Sequence, residues 1–243
     1  IVQGDTTTAM AVALAGFYFK KKIYHIEAGL RTHNINDPFP EEANRKIISE
    51  ISTIHFAPTK SSMRNLTKEN IPKQNIFVTG NTVIDSLKLI SKKYGIKRSE
   101  ENIILCTIHR SENTNKNINV IINSLLKIAK DNPDWKIIWP YHPNPIIKNK
   151  LKKFINKLKN FLIINSLDYL SFLKILNKSK LIISDSGGIQ EEAAYLGKYV
   201  FIMRKETERP EIIINNLGKI LDFKEEIITK EINLFIIKKK WKK

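Results

Sequence analysis

The stretch Asp185-Ser186-Gly187-Gly188-Ile189-Gln190-Glu191-Glu192 carries the most legible chemistry in the chain. An apolar run at residues 180–184 delivers a Ser-Gly-Gly turn directly into a helical pattern. Glycines let backbone N–H groups approach an anion, and a helix start carries partial positive charge. Glu192, one helical turn in, could accept hydrogen bonds from sugar hydroxyls. Together these read as a nucleotide site, with diphosphate on the turn (Ser186, Gly187, Gly188) and ribose on the acid. The turn is neither the glycine-rich dinucleotide fingerprint nor a phosphate loop ending in Gly-Lys-Ser/Thr, which counts against NAD binding and ATP hydrolysis. Thr207-Glu208-Arg209-Pro210-Glu211 adds an arginine beside a helix-starting proline, suited to a further phosphate or sugar contact.

A second group of residues has proton-transfer chemistry. In Gly4-Asp5-Thr6-Thr7-Thr8, Asp5 or a threonine could cap the helix that follows, or Asp5 could present its carboxylate at a cleft mouth. In His25-Ile26-Glu27-Ala28-Gly29-Leu30-Arg31, Glu27 stands at a strand end beside a turn and a fixed positive charge, more than one cap or ion pair would explain. Pro38-Phe39-Pro40-Glu41-Glu42-Ala43-Asn44-Arg45 starts a helix with two acids in its first turn, where the helix dipole favours them and where Glu41 could equally be catalytic. His109-Arg110-Ser111-Glu112-Asn113 places a His-Arg pair after another strand, suited to phosphate or protons. For His142, within Tyr141-His142-Pro143-Asn144-Pro145, a structural role is favoured.

These residues need strand ends to hold them. Short apolar runs at residues 1–3, 23–26, 53–57, 75–78, 103–108, 136–139, 161–164, 180–184, 199–203 and 219–221 read as strands. Helical patterns at 8–19, 41–51, 118–129 and 169–176 lie between them. The strand runs are rich in Ile and Val and barely alternate, as expected where helices cover both faces of a parallel sheet. Ten strands are many for one open sheet. The spacing therefore predicts an α/β fold of two Rossmann-like domains, 1–88 and 102–230, hinged after Gly80-Asn81-Thr82 through the polar run 91–101. In such folds ligands sit beyond the carboxyl ends of the strands, so two facing domains would enclose a central cleft.

Composition bounds the function classes. The 243 residues carry 41 Lys+Arg against 24 Asp+Glu, a formal net charge of +17, and only 7 of the basic residues are Arg. Six lysines fall between Lys148 and Lys159, but Lys148, Lys152 and Lys159 could share a solvated helix face opposite Leu151, Ile155 and Leu158. With arginine scarce, nucleic acid is not expected as a primary partner. No apolar stretch approaches the roughly 18 residues of a membrane span, so no membrane partner is expected. The single Cys106 excludes an internal disulfide framework and fits a reducing, cytoplasmic setting.

In order and spacing, the motifs resemble the non-hydrolysing UDP-N-acetylglucosamine 2-epimerases of bacteria and archaea. The matching stretches are Gln3-Gly-Asp-Thr-Thr-Thr8, His25-Ile-Glu-Ala-Gly-Leu-Arg-Thr32, Pro38-Phe-Pro-Glu-Glu-Ala-Asn-Arg45, His55-Phe-Ala-Pro-Thr59, Val78-Thr-Gly-Asn-Thr82, His109-Arg-Ser-Glu-Asn113, Asp185-Ser-Gly-Gly-Ile-Gln-Glu-Glu-Ala193 and Thr207-Glu-Arg-Pro-Glu211. The resemblance implies a glycosyltransferase-B type fold and a homodimer. It also implies interconversion of UDP-GlcNAc and UDP-ManNAc with no redox cofactor and no metal, by anti elimination of UDP and its re-addition. Carried over by motif, Asp5, Glu27 and Glu41 are acids for proton transfer, and His109 faces the diphosphate. Ser186, Gly187 and Gly188 would hold phosphate, Glu192 the ribose, and Arg209 phosphate or hexose. Phe172 and the backbone near Leu167 fall where the uracil packs, while Glu41, Arg110 and His142 fall at an activator site for a second UDP-GlcNAc.

Three departures stand out. Ser111 replaces the second Arg of the family's His-Arg-Arg-Glu-Asn, which bears on activation. The family's amino-terminal Gly-Thr-Arg-Pro-Glu turn and its carboxyl-terminal Asn-Pro-Tyr-Gly-Asp-Gly segment have no match, and the chain opens on Ile1. The expectation is therefore a fragment with an incomplete amino-terminal domain. Rival readings are a hydrolysing epimerase releasing free ManNAc, a 2-epimerase acting on a UDP-diacetamido uronic acid, an inactive UDP-binding fragment paired with a separately encoded amino-terminal half, and a nucleic-acid binder.

Overall fold

The computed structural model describes residues 1–97, 99–110, 113–141, 145–152, 154 and 157–240. The chain divides into two compact units, the first formed by residues 1–86 with 206–211, the second by residues 87–205 with 212–243. Residues 206–211 thus leave the second unit's run of sequence to pack within the first. The stretch expected as a hinge is largely helical, since α4 runs Thr82–Lys93.

The first unit is a four-stranded parallel sheet in the order β1-β2-β3-β4, with β1 Val2–Gln3, β2 Tyr24–Ile26, β3 Ile54–Ala57 and β4 Ile76–Val78. Helices α1 (Thr7–Tyr18), α2 (Glu41–Ile51) and α3 (Lys60–Lys68) connect the strands. One face packs Val2, Ile23 and Ile48 with Ala9 and Ala13 of α1. The other packs Ala28, Ala57 and Ile76 against Leu66 of α3. The helix α1 is apolar on nearly every side, so Val12, Phe17 and Tyr18 remain exposed while Ala9 and Ala13 are buried.

The second unit is a six-stranded parallel sheet in the order β10-β9-β8-β5-β6-β7. Its strands are β5 Glu101–Thr107, β6 Lys136–Pro140, β7 Phe161–Ile164, β8 Ser179–Ser184, β9 Tyr199–Ile202 and β10 Gly218–Ile220. Its helices are α5 Ile118–Asp131, α6 Pro145–Lys152, α7 Tyr169–Lys178, α8 Gly187–Tyr195 and α10 Glu225–Lys240, while α9 Pro210–Ile214 starts in the first unit and ends in the second. The central strands alternate between two buried layers. Ile104 and Cys106 of β5 and Leu181 and Ile183 of β8 face α5 and α10. Leu105 and Ile182 face Leu173 and Leu176 of α7 and Ala193 of α8. Helices on both faces explain why these runs read as continuously apolar. The lysine-rich helix expected to reach Lys159 ends earlier: α6 stops at Lys152, and Ile155 lies outside the described residues.

The order of strands reverses between β5 and β8, the switch point at which open α/β sheets bind ligands beyond the strands' carboxyl ends. The ends there are Thr107 with His109 and Ser184 with Asp185. Among the described residues, no helix is long and apolar enough to cross a membrane.

Candidate active site

At the second unit's switch point, Asp185 is fully buried and gathers the loop that follows β5. Its carboxylate accepts the backbone N–H of His109 at 3.2 Å and of Arg110 at 3.0 Å, and the Asn113 side-chain amide at 3.0 Å. His109 Nδ1 lies 3.1 Å from Asp185 Oδ1. Burial pushes the Asp185 carboxyl up, but hydrogen bonding and charge from His109, with Asn113 and Arg110, bring it below the ordinary carboxylate range. The anionic form therefore persists in the interior and fixes the orientation of the half-exposed His109 ring.

Beside this loop, Thr107, Ile108, His109, Pro140, Tyr141, Ser166, Leu167 and Phe172 line a recess of about 170 Å³. The expected uracil contacts, Leu167 and Phe172, thus share one recess with His109. The Ser186 hydroxyl makes no cap to α8, and the Ser186 N–H donates to Ser184 Oγ at 3.0 Å. At Gly188 an added Cβ would meet nothing within 4 Å, so the start of α8 opens onto empty space. Glu192 is buried one turn further in, and Tyr169 Oη donates to its Oε1 at 2.6 Å. Burial raises the Glu192 carboxyl, against the Tyr169 bond that lowers it and with the Glu191 charge adding to the rise.

The first unit carries a network of carboxylates and arginines. Thr6, not Asp5, caps α1, accepting the Ala9 N–H at 3.1 Å. That leaves the Asp5 carboxylate for Arg45, whose Nε and Nη2 lie 2.9 and 2.5 Å from Asp5 Oδ2. Asn44 holds the Asp5 carbonyl at 2.8 Å, so α2 grips both the main chain and the side chain of this residue. Arg45 also donates to Glu42 Oε2 at 2.9 Å. The Glu42 carboxylate accepts the N–H groups of Thr32 and His33 at 3.2 and 3.1 Å.

Glu27 adopts a left-handed backbone, φ 67°, rare for a residue with a Cβ and common at functional sites. Its Oε1 accepts Arg209 Nη2 at 3.1 Å and Asn81 Nδ2 at 3.2 Å. Glu41 opens α2, and its Oε2 is buried without a hydrogen-bond partner among the described residues. Arg31, expected beside Glu27, instead binds Glu69 at 2.6 and 2.9 Å, Ser49 at 2.9 Å and its neighbour's carbonyl at 2.8 Å, tying α2 to α3.

The structure therefore brings Asp5, Glu27 and Arg209 into one network, and His109, Leu167 and Phe172 around one recess. His142 and Ser111 lie outside the described residues. Sequence reasoning passes over Arg45, Asn81, Glu208, Asp185 and Tyr169 as site residues. Four of the five stand inside the quoted motifs, and the signal was charge at core positions: α2 buries Glu42 and Arg45 on the same face as Ile48. Tyr169 stands in no motif, and its only signal is the partner it finds at Glu192.

Comparison with known proteins shows the family. The family model for UDP-N-acetylglucosamine 2-epimerase matches residues 1–243. The UDP-N-acetylglucosamine 2-epimerase of Campylobacter jejuni is 44% identical over 248 residues, covering 95% of this chain and 65% of the relative. The crystal structure of UDP-GlcNAc 2-epimerase from Neisseria meningitidis bound to UDP-GlcNAc matches with a TM-score of 0.88 at 40% identity, covering 97% of this chain and 67% of that one. The Methanocaldococcus jannaschii UDP-GlcNAc 2-epimerase, in complex with UDP-GlcNAc and UDP, matches with a TM-score of 0.84 at 33% identity over 96% of this chain and 67% of that one. The chain spans about two thirds of the length of these relatives. Matched by the family model over residues 1–243, the chain belongs to the UDP-N-acetylglucosamine 2-epimerase family.

Proposed function

We propose that this chain carries the machinery for reversible C2 epimerisation of UDP-GlcNAc to UDP-ManNAc by elimination and re-addition of UDP. A carboxylate takes the C2 proton, and the electron pair left behind forms the C1=C2 bond. The C1–O bond to UDP then breaks, leaving UDP and 2-acetamidoglucal. UDP adds back at C1 while a proton is delivered to the other face of C2. No atom or electron is gained or lost overall.

The observation that carries this reading is the pair of accessible carboxylates, Asp5 and Glu27, each held by a buried arginine. Inversion needs proton transfer on both faces of C2, which two separate carboxylates can serve, with Glu41 a third acid on the same unit. Departure of UDP needs positive potential at the phosphate. His109 and the open start of α8, at Ser186, Gly187 and Gly188, are suited to supply it. Leu167 and Phe172 suit the uracil face, and the buried Glu192 suits the ribose. Glu41, Arg110 and His142 are the positions proposed for a second, activating UDP-GlcNAc.

Incubation with UDP-GlcNAc in deuterated water, followed by NMR, tests the proposal. Deuterium at C2 together with the manno isomer is the expected result. Free ManNAc plus UDP would assign hydrolysis instead, and no exchange at C2 would overturn the reading.

A further inference from the structure

The two carboxylates form the ends of one continuous chain of charges, and its middle member is Glu208. Glu208 Oε1 lies 2.5 Å from Arg209 Nη1 and 3.6 Å from Arg45 Nη2. On the far side of each arginine is a carboxylate at the end of the chain. Glu27 Oε1 lies 3.1 Å from Arg209 Nη2, and Asp5 Oδ2 lies 2.5 Å from Arg45 Nη2. Side-chain exposure runs 27% for Asp5, 3% for Arg45, 2% for Glu208, 8% for Arg209 and 20% for Glu27. Only the ends reach solvent.

Removing the charge of Glu208 would leave Arg45 with Asp5 and Glu42, and Arg209 with Glu27, but would take away a carboxylate that both guanidinium groups share. Like charges a few ångströms apart in a poorly solvated site repel, and the shared anion between them offsets that repulsion. Each guanidinium is a rigid fork, so a displaced arginine carries its carboxylate with it. Glu208 and Arg209 are also chain neighbours. The segment 206–211 therefore delivers the holder of Glu27 and the bridge to Arg45 in one step.

We infer that Glu208 is a positioning residue that sets the spacing of Asp5 and Glu27 by bridging the two arginines that hold them. Its catalytic consequence rests on the proposed epimerase reaction; its structural consequence does not. Two measurements on Glu208→Gln separate the two. The first is solvent exchange of the Arg45 Nε–H, which is donated to Asp5 and resolvable by nitrogen-detected NMR. This exchange is expected to accelerate about tenfold. The second is C2 deuteration of UDP-GlcNAc, whose kcat is expected to fall about tenfold or more with KM nearly unchanged, the scale seen for outer partners of functional groups. Glu208→Asp keeps the charge on a shorter arm and should recover part of both. If Glu208→Gln does not fold, Glu208→Asp is read in the same way for a smaller change. Unaltered Arg45 Nε–H exchange in a folded variant overturns the inference whether or not the chain turns over. Absence of C2 deuteration by the wild-type chain counts against the epimerase reading alone, and the NMR result still decides on Glu208.

Discussion

Asp185 and Asp5 each hold a nitrogen-bearing side chain, His109 and Arg45, yet they differ in what that does. Asp185 is enclosed and orients His109, so its replacement should act through that ring. In Asp185→Asn the ring loses its anionic partner, while the amides of His109 and Arg110 can still bond to the asparagine oxygen. C2 exchange is expected to drop about 10²-fold with the protein still folded, as when a carboxylate that orients a catalytic histidine is neutralised. Circular dichroism and the deuteration assay check this together; unchanged exchange would remove His109 from the chemistry. Asp5 is an accessible end of its network. Asp5→Asn is expected to lower C2 exchange about 10²–10⁴-fold, the range for a lost general base, while UDP affinity by calorimetry stays unchanged. Loss of UDP binding in that variant would make Asp5 a binding residue instead. These two roles were unequally legible. Asp5 follows an apolar run and precedes a threonine series, a pattern that admits both cap and carboxylate readings; Thr6 is the cap. Glu27 finds its arginine 182 residues away, and no local pattern announces such a pair.

Elements were legible where apolar character is dense. Among the described residues, the ten strands lie where the apolar runs predicted them, because strands covered on both faces carry few polar residues to blur the pattern. Helix α3 is different: its sequence Lys-Ser-Ser-Met-Arg-Asn-Leu-Thr-Lys buries only Ser62 and Leu66 and has few apolar residues to mark it. Two glycines at element junctions lead to opposite predictions. Gly29 has φ 86°, and a Cβ there would lie 2.3 Å from the Ser62 carbonyl oxygen of α3. Gly29→Ala is expected to destabilise the first unit by about 2–4 kcal/mol, measured by urea unfolding. Gly188 sits in the first turn of α8, and its Cβ would meet nothing within 4 Å. Alanine there should leave folding intact, or stabilise it by up to about 1 kcal/mol as the better helix former. Yet its methyl would occupy the space through which a diphosphate reaches the backbone, so UDP affinity should fall about tenfold. Equal affinity would place the phosphate elsewhere.

Across the whole molecule, acid should weaken the two units unequally. His25 and His55 face one another across β2 and β3, both fully buried in the first unit. Burial chiefly pushes His25 down to about 4, with the His55 and Arg31 charges adding to this and the bond to the Gly4 carbonyl opposing it. Burial and then Arg31 push His55 down to about 4 as well. Both are ordinary at 6.5 in the unfolded chain, so between about 6.5 and about 4 the unfolded state binds protons that the folded state refuses. Stability is therefore lost as pH falls through that window and is unaffected by this pair above it. Each histidine contributes at most about 3.5 kcal/mol, at about 1.4 kcal/mol per pKa unit. In the second unit, Glu192 has the reverse sign. Glu192 is raised by burial, so the folded state takes up its proton more readily than the unfolded one as pH falls. Asp185 is lowered, and its contribution is lost only at still lower pH. Hydrogen exchange at pH 5 should therefore show amides of β2 and β3 losing protection relative to pH 7.5 while those of β5 and β8 keep theirs. In His55→Leu, about half of the acid sensitivity of the first unit should disappear. Equal loss of protection in both sheets would mean that the histidine pair does not set the acid limit, and that the +17 charge of the whole chain does so through general repulsion.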